Sequence, residues 1–192
     1  MKFLLSLSFV FCIFTLFAQE TASIEYSPDV DFNWSIFKGK INPHHVATMG
    51  KNTAAVTVSS LNYTTQVKGK TAVVKISALF LPFESWTRYP KLEHPEEALN
   101  HEKRHFDICE IYARKLRQAI VMNHFSRTKF SSSLESLFNK ITSEYRTEQN
   151  KYDRETKHSM DTEQQLKWNR SIDAQLASLS AYSSSTVRVS LF

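Results

Sequence analysis

Apolar and polar residues alternate with a period of two along the first half of the chain and recur every three to four positions along the second. In Thr71-Ala72-Val73-Val74-Lys75-Ile76-Ser77-Ala78-Leu79-Phe80 every second position is apolar, the pattern of a strand with one buried face. Residues 56–58 and 63–67 read similarly, and Lys68-Gly69-Lys70 supplies a turn, so this half predicts a small, mainly antiparallel sheet built of hairpins. Leu81-Pro82 closes the last of these strands, because proline cannot donate to a ladder.

From Pro95 the period is helical and continues to about Leu179, with breaks near residues 127–133 and 155–161. The second helix is marked by Leu134, Leu137, Phe138, Ile141 and Tyr145. The third opens on Asp161-Thr162-Glu163-Gln164, spaced as a capping box, and carries Leu166, Trp168, Ile172, Leu176 and Leu179. The tail from Thr186 to Leu191 predicts an edge strand. The fold class is therefore α+β, strand-rich over 21–87 and helical over 95–180, without internal repeats or a low-complexity linker.

Composition narrows this to one domain. The chain has 192 residues, 42% hydrophobic and 22% charged, with only 3 Gly, which excludes disordered and collagen-like classes. Met1-Lys2, an apolar run from Phe3 to Phe17 and the small Ala18 have the order of a secretory signal peptide, and the run is too short to span a bilayer as a helix. Cleavage is expected after Ala18, giving an exported domain over 19–192 in the periplasm or medium, with no stable membrane insertion. One of the two cysteines, Cys12, would leave with the leader, so no internal disulfide is expected. The net charge of +5 is spread among acids with no basic stripe, which argues against nucleic acid as a partner.

The chemistry lies in the first helix, where His101-Glu102-Lys103-Arg104-His105 is an H-E-x-x-H pattern. Residues i and i+4 lie one turn apart on the same face, so both imidazoles can reach one Zn²⁺ while the adjacent glutamate reaches water beside the metal. Stepping about 100° per residue from His101, the motif shares one arc with Ala98, Phe106, Ile108, Cys109, Tyr112, Ala113, Leu116, Ala119 and Ile120. Lys103, Arg104, Asp107, Glu110, Arg114, Lys115, Arg117 and Gln118 fall opposite. An unpartnered carboxylate on the buried side costs several kcal/mol, roughly, unless a metal and its water take it up. Cys109, one turn further on, reads as a buried free thiol, and Ile111, off the arc, as a contact to the sheet or another helix.

A third ligand is needed, since Ile108 and Ile111 stand where the extended H-E-x-x-H-x-x-G-x-x-H pattern has Gly and His. The segment Tyr152-Asp153-Arg154-Glu155-Thr156-Lys157-His158-Ser159 falls between two helices. His158 is the first choice for a neutral imidazole ligand, and Asp153 and Glu155 compete with it. Adjacent His44 and His45 are poor joint ligands and suit a polar turn, while His94 and His124 are expected to face solvent.

The run Leu99-Asn100-His101-Glu102-Lys103-Arg104-His105-Phe106-Asp107, followed by Tyr152-Asp153-Arg154-Glu155-Thr156-Lys157-His158, Gln165, Trp168-Asn169 and Ile172, resembles the bacterial domain-of-unknown-function family 922. That family is described as predicted secreted zinc-dependent proteases, and the likeness runs from about His45 to Leu179. It implies His101, His105 and His158 as zinc ligands and Glu102 as catalytic acid/base; its pattern carries Gly after the last histidine, where this chain has Ser159. The expectation is a zincin-like metallopeptidase acting on a peptide or protein substrate through a zinc-activated water. Tyr152 is a candidate oxyanion stabiliser, though a core position suits it better, and Thr71 to Phe80 a candidate edge strand for an extended peptide. A zinc hydrolase acting on a non-peptide envelope amide or ester, and a non-catalytic metal-binding protein, remain open as alternatives.

Overall fold

The computed structural model describes residues 23–50 and 53–192; the expected leader over 1–18 lies outside these. Its sheet is organised around β4 (Thr71–Phe80), in which Ala72, Val74, Ile76, Ala78 and Phe80 are wholly buried. β3 (Ser59–Lys68) pairs antiparallel with it along its full length, from Lys68↔Thr71 to Ser59↔Phe80. Gly69 opens the two-residue turn at φ 61, a left-handed conformation that glycine adopts without strain.

The other edge of β4 is covered from both ends of the described chain. β1 (Ile24–Glu25) pairs with Leu79 and Phe80, and β6 (Thr186–Ser190) pairs with residues 71–75. β4 is thus a central strand and cannot be the peptide-binding edge expected from its sequence. A strand with five fully buried apolar side chains is stable only when its backbone is paired as well. The tail forms the expected strand.

Less of the first half is strand than the alternation suggests. Short helix α1 (Pro43–Met49) starts at Asn42, whose side chain accepts from His44 N, so His44 and His45 lie in a first helical turn rather than a polar loop. β2 (Ala55–Val56) and β5 (Trp86–Thr87) make a separate two-stranded sheet. Ser85 ties it to the main sheet, its Oγ accepting from Val58 N at 2.9 Å.

Three long helices form the second half: α2 (Pro95–Met122), α3 (Phe130–Thr156) and α4 (Thr162–Ser178). α4 has the cap read from sequence, Asp161 accepting from Gln164 N at 3.1 Å. α2 packs across β3, β4 and β6 and is flanked by α3 and α4. It is buried on more than the expected arc, because Asp107, Glu110, Arg114 and Arg117, read as a charged side, are also buried. Asp107 accepts from Tyr26, Lys103 and Arg104, and the other three satisfy one another and nearby carbonyls. Glu110 accepts from Arg114 and Arg117, and Arg117 also donates to the carbonyls of Ile76 and Tyr182. Arg114 reaches Leu176 O near the end of α4, so the two arginines tie α4 and the middle of β4 to α2. Ile111 is buried among the core residues, and no described helix is long and apolar enough to cross a membrane.

Candidate metal centre

α2 places His101 and His105 one turn apart, with Nε2 atoms 3.2 Å from each other. Asp153, in the last turn and a half of α3, brings Oδ1 to 3.1 Å from each of these nitrogens. The three atoms form a nearly equilateral triangle. Neighbouring ligand atoms in a tetrahedral zinc site with bonds of about 2.0–2.1 Å stand about 3.3 Å apart, so the triangle has the dimensions of one such face.

His158 adds a fourth group. Its Nδ1 is 3.4 Å from Asp153 Oδ1, and its side chain is 51% exposed where that of His101 is 5% exposed. His101, Asp153 and His158 each offer a ligand atom within 4.8 Å of the others. The turn that carries His158 is unusual, with Lys157, His158 and Ser159 all at positive φ, 50°, 53° and 73°. It reverses the chain between α3 and α4, and the amides of Lys157 and His158 both donate to Asp153 O.

Glu102 is buried beside this cluster and lines the same cleft, and its Oε2 has no hydrogen-bond partner. With an orphaned carboxylate oxygen next to three imidazoles and a second carboxylate, the cluster could hold a metal ion, and the residues present fit Zn²⁺. Without a metal the charges lean on one another. Burial pushes the Asp153 carboxyl up, but bonds to His101, His105 and His158 outweigh it and hold it well below the usual carboxylate range. Burial pulls His105 down, and Asp153, Glu102 and Gln149 reverse this, raising it to about 9. His158 is raised by Asp153.

The cleft has a volume of about 1010 Å³ and is open to solvent. Residues 54–59 form one wall, and Arg146, Gln149 and Asn150 of α3 another. Exposed His94 lines its rim, whereas exposed His124 lies elsewhere, against Phe192. Glu155 does not join the cluster; its carboxylate accepts from Trp168 Nε1 at 2.9 Å. Cys109 is a buried free thiol pushed up to about 12 by its burial.

Tyr152 is placed differently from the oxyanion role. It is wholly buried and its ring stacks on His101 at 4.6 Å between centroids. The hydroxyl donates to His101 O and meets Gln165, on the side away from the cleft. α3 continues through Thr156, so consecutive Tyr152 and Asp153 point about 100° apart, one into the core and one into the cleft.

Two residues beneath the site were given no role from sequence, although Gln165 is among those that carry the family likeness. Gln165 Oε1 faces His101 Nδ1 at 3.0 Å, and Gln149 Oε1 faces His105 Nδ1. Gln149 follows Tyr145 by one turn on the inward face of α3, as a polar residue on an otherwise apolar stripe, and that was the available signal.

Fold and cluster together define an α+β protein with a metal-type cleft on an H-E-x-x-H helix. Residues 47–159 match the model of the family described as bacterial protein of unknown function (DUF922), and the chain belongs to that family. Comparison with curated proteins and with solved structures gives no match.

Proposed function

We propose that this protein is an exported zinc-dependent metallopeptidase. The observation that carries the reading is the triangle of His101 Nε2, His105 Nε2 and Asp153 Oδ1 beside the unpartnered Oε2 of Glu102. His101, His105 and Asp153 hold the ion, and His158 faces the same carboxylate oxygen from the solvent side. When bound, zinc supplies the Lewis acidity that makes water a competent nucleophile at neutral pH. Glu102 takes the proton from the attacking water as general base and delivers it to the leaving amine as general acid. The extended wall over 54–59, in place of β4, accommodates a substrate backbone, and peptides are the substrates that present one.

The test is metal analysis of the purified protein with Glu102→Gln, Asp153→Ala and His158→Ala beside wild type, together with cleavage of a broad peptide library. Wild type is expected to carry one zinc and cleave, and Glu102→Gln to keep zinc and lose cleavage by about 10²-fold or more. The larger loss of zinc affinity is expected in Asp153→Ala; a larger loss in His158→Ala would give that histidine the third position. Wild type without zinc, or cleavage indifferent to Glu102, would overturn the reading. Export is tested by the mass of the mature chain, expected to begin at Gln19.

A further inference from the structure

The two motif histidines are gripped from behind in the same way by two glutamines on two different helices. On α3, Gln149 Nε2 donates to His105 O at 2.9 Å and to Tyr145 Oη at 3.0 Å. Both partners of the amide nitrogen are oxygens, so its orientation is set, and Oε1 is the atom turned to His105 Nδ1. On α4, Gln165 Nε2 donates to Tyr152 Oη at 2.8 Å and to Asn169 Oδ1 at 2.9 Å, while Oε1 faces His101 Nδ1 at 3.0 Å and lies 3.2 Å from Tyr152 Oη. Tyr152 in turn donates to the carbonyl of His101. An amide oxygen only accepts. Each ring must therefore keep its proton on Nδ1, which leaves Nε2, the nitrogen on the triangle, to give its lone pair to an ion.

We infer that Gln149 and Gln165 are the positioning residues of the metal centre, fixing both histidines in the Nδ1–H form through neutral amides; the inference rests on the zinc reading above. Neither side chain touches the cluster's ligand triangle. Because both are uncharged, they orient the rings without adding negative charge, unlike the carboxylates that often stand behind metal-binding imidazoles. The grips also tie zinc affinity to the docking of α3 and α4 on α2, since each glutamine reaches its ring across a helix–helix interface.

The experiment separates positioning from simple structural support by comparing Met and Glu at each position. Zinc affinity is measured by chelator competition, and stability by melting of the metal-free protein. Gln149→Met and Gln165→Met remove the acceptor and are expected to weaken zinc binding about 10–100-fold. Gln149→Glu and Gln165→Glu keep an acceptor and lose the donor bonds, so they are expected to melt lower than wild type while holding zinc at least as tightly. Zinc affinity that merely follows melting temperature across the four variants, or that is unchanged in the Met variants, would overturn the inference. Should wild type bind no zinc, the function reading falls, and the pairing is decided by ¹⁵N spectra of the two imidazoles. Nδ1–H on both rings, lost in the Met variants, upholds the grip; a ring without Nδ1–H in wild type overturns it.

Discussion

Replacing Ser159 by glycine should stabilise the protein. Three successive residues with a Cβ, Lys157, His158 and Ser159, are left-handed, and Ser159 has the largest φ of the three, 73°. Each such residue costs about 1–2 kcal/mol relative to its relaxed conformation, because Cβ crowds the following carbonyl oxygen. Glycine removes that crowding but brings an unfolded chain freer by about 0.5–1 kcal/mol. The balance leaves a gain of about 0.5–1 kcal/mol, which for a domain of this length raises the melting temperature by about 1–4 °C. Ser159→Val should move the other way by at least as much, since a β-branched side chain is least tolerated at positive φ. Thermal and urea unfolding of the chelator-treated protein read both effects without interference from metal. A glycine variant no more stable than wild type would refute the strain assigned to this turn. It would also mean that Gly after the last histidine in the family pattern answers some need other than backbone freedom.

Arg117→Met should destabilise by about 3–5 kcal/mol in urea titrations, because it leaves buried Glu110 with Arg114 alone and takes donors from the carbonyls of Ile76 and Tyr182. Gly39→Ala should cost about 1–3 kcal/mol in the same assay, since a Cβ there would lie 2.7 Å from Ser85 O and 2.8 Å from Phe83 O, both backbone atoms. In metal-free protein His105 is held at about 9, above its ordinary 6.5, by Asp153, Glu102 and Gln149 against the pull of burial. Its contribution to stability is full below about pH 6.5 and is lost as pH rises through about 9, which urea midpoints at pH 6 and pH 10 will show as a decline. Zinc binding must displace a proton from this cluster, so zinc affinity should strengthen over the same rise in pH, measured by chelator competition. At a free zinc concentration about 1,000 times the dissociation constant, the metal should add about 4 kcal/mol of stability that a chelator removes.

The parts of the fold set by local pattern were readable in the chain. Alternation from Thr71 to Phe80 and Gly69 in the turn specify the β3–β4 hairpin, and Asp161 marks the start of α4. The three motif residues fall on one inward face of α2 by helical spacing alone, with His101 and Glu102 buried and His105 partly so. What depends on distant partners was not readable. Asp107, Glu110, Arg114 and Arg117 look solvated to any periodicity argument, and are buried because the carbonyls of Leu176, Tyr182 and Ile76 come to meet the arginines, while Tyr26, Lys103 and Arg104 meet Asp107. β4 reads as an edge until β1 and β6 arrive from opposite ends of the chain. In the site, Tyr152 takes the core position that suits it rather than an oxyanion role, and His158 and its competitor Asp153 both come to the cluster. One residue of offset on a helix decides which side chain enters the core and which the cleft.

The pairing of β4 also sets an order in time. Residues 71–75 wait for β6, which is made after every other strand and all three long helices. Until β6 docks, that half of β4 has an unpaired edge, although Arg117 already has its acceptors at Tyr182 and Ile76. A chain cut after Ser185 should therefore stay protease-sensitive, because residues 71–75 never gain their second partner strand. Protection of the truncated chain equal to that of the full chain would show that the sheet closes without its last strand.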